Sequence, residues 1–138
     1  MRLVALPVKR HESAYTPHMT IRAIRGAVQL RRDNLDEMRE AVVELLTEIF
    51  TRNQVSTDDL VSIFFTATPD LTCGFPAAAA RELPLGDVPL MCAAELAIPG
   101  ALPRVVRVMV HLETSRARRE LQHVYIRGAE ALRLDLAQ

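Results

Sequence analysis

The pattern of hydrophobic and polar positions predicts five strands along the chain. Short runs that are apolar, or that alternate apolar with polar residues, have the period of an extended segment with at least one buried face. These runs are residues 20–28, 60–67, 88–93, 104–110 and 123–126. Strands interleaved with helices favour an α/β or α+β fold with a single sheet and helices on one face. The other face would be bare, which suggests burial against other subunits.

Two helices are predicted between these strands. Asn34 and Glu37 resemble a capping box in which Asn replaces Ser or Thr. Apolar residues then recur at helical spacing up to residue 50, at Leu35, Met38, Val42, Leu45, Leu46, Ile49 and Phe50. A shorter helix is predicted over residues 75–83, because Pro76 suits the first helical position and four alanines follow it.

One domain is expected over residues 19–138. Residues 1–18 lack clear periodicity and contain Pro7 and Pro17, so we interpret them as a flexible N-terminal extension. A chain of 138 residues can bury one hydrophobic core but is short for two.

The strand at residues 104–110 contains a cation in an apolar run. On a pleated strand, one face carries Val106, Val108, Val110 and Leu112 and is predicted to lie in the core. Arg107 lies on the other face, between Val105 and Met109. A guanidinium held on a half-buried face requires an anion, either a protein carboxylate or a ligand. An arginine that reaches water from an edge strand explains the pattern equally well.

Composition excludes several classes of protein. Lys plus Arg and Asp plus Glu each total 17, so the chain lacks the net positive charge typical of nucleic-acid-binding proteins. Cys73 and Cys92 are too few for a disulfide framework. No apolar run approaches the ~18 residues of a membrane span, and the N-terminus lacks the features of a signal peptide. We therefore expect a cytoplasmic protein.

The candidate chemistry is the binding of a small polyanion. The sequence has no nucleophile elbow, phosphate-binding loop or zinc motif. We interpret Cys92 as a small buried thiol in preference to a catalytic nucleophile. There remains a set of charged or polar residues at predicted strand or helix ends: Arg25, Arg81, Glu95, Arg107, Tyr125 and Arg133.

Seven separated motifs resemble, in order and spacing, those of the monofunctional trimeric chorismate mutases. They are Ile21–Ala27, Thr66–Leu71, Phe75–Ala77, Arg81–Glu82, Val88–Leu90 with Cys92 and Glu95, Arg104–Val108, and His123–Tyr125 with Leu132–Arg133. The resemblance implies a Claisen rearrangement of chorismate to prephenate, without cofactor or metal, in phenylalanine and tyrosine biosynthesis. It also implies a ferredoxin-like sheet and a homotrimer that forms a pseudo-α/β barrel with active sites between subunits.

The resemblance also assigns roles to residues. Arg107 would face the ether oxygen, where negative charge builds as the bond breaks, and Glu95 would accept the substrate hydroxyl. Arg25 and Tyr125 would contact the carboxylate side of the substrate. The remaining substrate-binding positions are the strand residues Met91, Cys92, Ala93 and Ala94, the cross-subunit wall of Phe75, Ala77 and Arg81, and the C-terminal segment with Leu132 and Arg133.

Some positions depart from the family pattern, and alternatives remain. Ala78 stands where relatives carry lysine, Met91 replaces a small hydroxyl residue, and Leu134 replaces an expected proline. Glu95 could pair with Arg25 or Arg107 for structural reasons alone. The alternative functions are a non-catalytic trimeric binding protein for a small carboxylate metabolite and an imine deaminase of similar fold.

Overall fold

The computed structural model describes residues 18–133 and shows a mixed α+β fold. The predicted N-terminal extension, apart from its last residue, and the end of the chain with Leu134 lie outside the described residues. All five predicted strands and both predicted helices are present. The strands are β1 (Thr20–Gln29), β2 (Leu60–Ala67), β3 (Leu90–Ala94), β4 (Val105–Thr114) and β5 (Val124–Ile126); the α-helices are α1 (Leu35–Asn53) and α2 (Pro76–Ala80); single 3₁₀ turns cover Thr57–Asp59, Arg118–Glu120 and Ala129–Arg133. Within residues 18–133, no helix is long and apolar enough to cross a membrane.

The strands form one sheet in the order β3-β2-β4-β1-β5. The central strand β4 runs antiparallel to both of its neighbours, and it pairs with β1 along the full length of the two strands. The outer strands β3 and β5 run parallel to β2 and β1, respectively. β5 is short and pairs only with Gly26–Val28, so the first half of β1 has no strand on that side.

The hydrophobic core lies between the sheet and the two helices. The predicted core face of β4, from Val106 to Leu112, is buried against the apolar stripe of α1 in one cluster that also contains Ala79 and Ala80 of α2. Gly26 lets α1 approach β1 closely, because an added Cβ would lie 2.8 Å from a side-chain atom of Ile49. Both helices therefore cover the same face of the sheet.

The first helix begins where the sequence predicts and ends later. The Asn34 side chain accepts a hydrogen bond from the backbone N–H of Glu37 at 3.0 Å, whereas the Glu37 carboxylate bonds to the N–H groups of Arg31 and Arg32 rather than closing the capping box. The helix continues three residues beyond Phe50. The buried Asn53 amide bonds to the backbone of Gln122 in both directions, and this long-range contact stabilises the last turn.

Other element boundaries differ from the sequence prediction. α2 ends at Ala80 rather than at residue 83, so Arg81 is a C-cap residue and not part of the helix. β3 begins two residues later than predicted, after Pro89. In the charged segment 116–120, which the sequence alone suggests is solvated, the Arg116 guanidinium instead donates to the backbone carbonyl of Asn53.

The face of the sheet opposite the helices is largely open. It carries exposed apolar side chains at Ile21 (59%), Phe64 (36%) and Met91 (65%). Near one end, the Ala129–Arg133 turn covers it, where Ala27, Val105 and Ala129 are fully buried. The predicted bare face is therefore present, with a cap at the end where β4 begins.

Candidate active site

The register of the sheet brings several predicted site residues into one row on the open face. Arg107 of β4 lies opposite Thr66 of β2 and Ala27 of β1. Ala27 in turn lies beside Tyr125 of β5, and Thr66 beside Ala93 of β3. Cross-strand partners project from the same face of a sheet, so these five side chains share it.

Arg25, Arg107 and Tyr125 line one cavity of about 310 Å³ on this face. Arg25 lies one row from Arg107, since its register partner on β4 is Met109. The remaining lining includes Phe64, Thr66, Met109 and His111. The cavity therefore combines two guanidinium groups and a phenol with apolar walls, which suits an anionic ligand that has a hydrophobic ring.

Glu95 is the anion that Arg107 requires. Its Oε1 lies 2.9 Å from Nε of Arg107, and its own backbone N–H donates to the carbonyl of Ala67, which continues the pairing of β3 with β2. The Glu95 side chain is 17% exposed and that of Arg107 is 48% exposed. The sequence left Arg25 and Arg107 open as partners of Glu95, and the fold selects Arg107.

The second carboxylate oxygen of Glu95 is unsatisfied. Oε2 is buried and has no hydrogen-bond partner among residues 18–133. An unpaired buried oxygen on an ionised group is costly, so its presence marks a position that a donor would stabilise.

The C-terminal segment approaches the same site. The Arg133 guanidinium lies over the ring of Tyr125, with its central carbon 5.0 Å from the ring centroid, and it donates to the carbonyl of His123 at 3.1 Å. Leu132 packs against the small cluster around Ala27 at the covered end of the open face. A cation over an aromatic face is attracted by the ring quadrupole, so Arg133 and Tyr125 hold each other in place.

His123 forms a hydrogen bond with the backbone of Arg25. Its Nδ1 accepts the backbone N–H of Arg25 at 2.9 Å. Burial lowers the pKa of His123 below its ordinary value of 6.5, and the positive charges of Arg25 and Arg133 lower it further. The imidazole is thus held neutral, with Nδ1 as acceptor and the proton on Nε2.

Four other predicted site residues line a second cavity, of about 480 Å³. Phe75, Cys92, Ala93 and Ala94 line it, and the Phe75 side chain is 72% exposed. The Cys92 side chain also packs against the core on the helix side of the sheet, whereas Met91 is exposed on the open face. Within one chain, these four residues therefore line a different cavity from that of Arg25, Arg107 and Tyr125.

Ala77 and Arg81 are not part of either cavity lining. Ala77 packs against the hydrophobic core. The Arg81 guanidinium donates to the carbonyls of Gly86 and Val88, both at 3.1 Å, and so holds the loop before β3. In the single chain these contacts give Arg81 a structural role, and its predicted contact with substrate remains a prediction.

Comparisons with known proteins agree on one family. The sequence model of the family described as chorismate mutase type I matches residues 21–136. The chain is 41% identical to chorismate mutase AroH of Thermus thermophilus over 117 residues, which are 84% of this chain and 96% of the relative. It is 38% identical to chorismate mutase AroH of Bacillus subtilis (strain 168) over 120 residues, 86% and 94% of the two chains.

A solved structure supports the same assignment. Chorismate mutase from Clostridium thermocellum superposes with a TM-score of 0.77 at 39% identity, covering 79% of this chain and 97% of that one. The chain belongs to the chorismate mutase type I family. The predicted family and the predicted activity, an isomerase that acts as a chorismate mutase, are confirmed. This match excludes the imine deaminase alternative.

Sequence reasoning did not identify several residues of this chorismate mutase cavity. Thr66 lies beside Arg107, and Phe64 and His111 complete the wall. The alternation of side chains along β2 and β4 could have placed them on the same face as Arg107. His123 gives no such signal, because its bond to Arg25 depends on where β5 docks.

Proposed function

We propose that the protein converts chorismate to prephenate by binding the compact conformer of the substrate and stabilising charge on the ether oxygen. The observation that carries this proposal is the Arg107–Glu95 pair on the open face, beside Arg25 and Tyr125. A unimolecular rearrangement needs neither a nucleophile nor a proton carrier. It needs a shaped site with fixed charges, without cofactor or covalent intermediate.

Arg107 would act on the transition state. Its Nε is held by Glu95 at 2.9 Å, which orients the planar guanidinium and leaves the two Nη groups free of hydrogen bonds to residues 18–133. Negative charge grows on the ether oxygen as the C–O bond breaks ahead of C–C bond formation. A fixed donor that meets this charge favours the transition state over the ground state, typically by about 3–4 kcal/mol.

Glu95 would position the substrate through its hydroxyl group. One carboxylate oxygen neutralises Arg107, and the other lacks a donor within the described part of the chain. A substrate hydroxyl would supply that donor, in a charge-assisted hydrogen bond. Glu95 would thereby fix the position of the Arg107 guanidinium relative to the substrate ring.

Arg25 and Tyr125 would bind the carboxylate side of the substrate. Both line the cavity with Arg107, and Arg133 is held over Tyr125. Fixing the two reacting ends of a flexible molecule near each other lowers the entropic part of the barrier.

The complete site would require a homotrimer with a pseudo-α/β barrel of ferredoxin-like sheets. The open face exposes Ile21, Phe64 and Met91, and large exposed apolar patches mark protein interfaces. The division of predicted residues between two cavities supports a site assembled from two subunits, in which Phe75 of one chain would close the Arg107 cavity of the next. The cytoplasmic location predicted from the sequence belongs to this proposal, supported by two free cysteines.

Two measurements on the purified protein test the proposal. Loss of the diene absorbance of chorismate should accompany formation of prephenate, and sedimentation should show a trimer. An assembled trimer that binds chorismate in a calorimeter without converting it would overturn the catalytic proposal in favour of the non-catalytic binding protein. A monomer that turns over chorismate would overturn the intersubunit site.

A further inference from the structure

A third cavity, of about 410 Å³, lies at the uncovered edge of β1 and is lined by cations. Three arginines are among its lining residues, Arg22, Arg25 and Arg118, together with His111 and His123. No acidic residue is among the described residues that line it. The chain has a formal net charge of zero, so this local excess of positive charge is a feature of the fold rather than of the composition.

The cavity exists because β5 is short. β5 pairs only with Gly26–Val28, so the preceding edge of β1 lacks a strand neighbour. The N–H of Arg25 points to that edge, where it meets Nδ1 of His123. Alternate N–H groups of a strand point to the same edge, so those of Ile21 and Ala23 point there too and add unpaired donors.

The three guanidinium groups lack anionic partners in the described part of the chain. None of Arg22, Arg25 and Arg118 forms a salt bridge or donates a side-chain hydrogen bond there, and Nε of Arg22 is buried without any partner. Like charges that line one cavity repel one another. An anion in the cavity would relieve that repulsion.

The cationic cavity adjoins the Arg107 cavity. Arg25, Met109 and His111 line both. We infer that the cationic cavity is a second anion subsite, which receives a carboxylate group of the incoming substrate before that group is handed to Arg25 at the Arg107 cavity. This inference rests on the proposed function, since the ligand is the substrate carboxylate. Fixed cations at the rim of a site raise the rate of encounter with an anion and act less on the chemical step.

Arg118 offers the test, because it is exposed on a 3₁₀ turn and its neighbour Arg119 provides a matched control. Both are exposed, but only Arg118 lines the cavity. For Arg118→Gln we expect the KM for chorismate to rise about three- to tenfold while kcat stays within about twofold. Arg119→Gln makes the same change in net charge and should leave KM unaltered. Arg118→Lys should restore most of the affinity.

Salt provides a second readout. The wild-type KM should rise more steeply with ionic strength than that of Arg118→Gln, because the variant has lost one screened contact. Equal KM values for Arg118→Gln and Arg119→Gln would overturn the inference, as would a fall in kcat alone. If the wild type does not turn over chorismate, the proposed function fails instead. Calorimetry would then test the subsite by itself. Weaker binding of chorismate to Arg118→Gln than to Arg119→Gln would uphold it, and equal affinities would overturn it.

Discussion

Replacing Arg107 with lysine should lower kcat strongly while changing the free energy of unfolding only slightly. In the wild type, Nε holds Glu95 at 2.9 Å while the Nη groups remain available to the ligand. A lysine ammonium concentrates its donors on one nitrogen atom and lacks the planar fork. It therefore cannot keep the contact with Glu95 and meet the ether oxygen in the geometry of the guanidinium.

The expected loss in kcat is about 10²–10³-fold. This is the range measured when one preorganised donor to a developing negative charge is removed, about 3–4 kcal/mol. The cost in folding stability should be far smaller. Arg107 is 48% exposed, and partly exposed ion pairs typically contribute about 0–1 kcal/mol.

Steady-state kinetics with chorismate, together with thermal unfolding, would measure both quantities. Arg127→Lys is a matched control, since Arg127 forms a similarly exposed pair with Glu44 outside the site; its kcat should equal that of the wild type. A wild-type kcat for Arg107→Lys would refute the assigned role. So would a loss of activity explained entirely by a higher KM, because that pattern reports ground-state binding.

Three further substitutions test other parts of the structure. Glu95→Gln should lower kcat/KM on the order of tenfold or more in the chorismate assay, since it removes the charge that orients Arg107; unchanged kinetics would contradict this. The folded pKa of His123 lies below 6.5, so its contribution to stability is present above pH 6.5 and is lost as the pH falls through the folded value. The free energy of unfolding of His123→Asn, measured against pH, should lack this loss. Identical profiles for the wild type and the variant would disprove the assignment. Gly26→Ala should destabilise by about 1–3 kcal/mol, because the new methyl group meets a side chain of α1 at 2.8 Å and a backbone oxygen at 3.0 Å; Gly74→Ala, which meets only the end of one side chain, should cost less in the same denaturation experiment.

The elements of the fold were accessible from the sequence because their signals are local. Alternation along β4 correctly separated the buried Val106 and Val108 from Arg107, and the Asn34 cap marked the start of α1. Boundaries were wrong where distant contacts decide them. The last turn of α1 is held by Gln122, which lies far along the chain from Asn53.

The choice of partner for each charge was not accessible in the same way. The sequence identified Glu95 and Arg107 as candidate site residues, but it left Arg25 and Arg107 as equally good partners for Glu95. Strand order settles this, because β3 and β4 both flank β2 while β1 lies one strand further from β3. His123 and the cationic edge of β1 were missed for the same reason, since both depend on where the three residues of β5 dock.

The sequence by itself determined the strands and helices, the apolar stripe of α1, the bare second face and the family to which the seven motifs belong. Periodicity and residue type determine these features, and both are properties of neighbouring positions. Only the tertiary structure decided the pairing of Arg107 with Glu95, the unpartnered Oε2, the separation of Phe75 from the Arg107 cavity and the gap beside β1. Register and strand order set those contacts, and they arise from pairing between segments far apart in the chain.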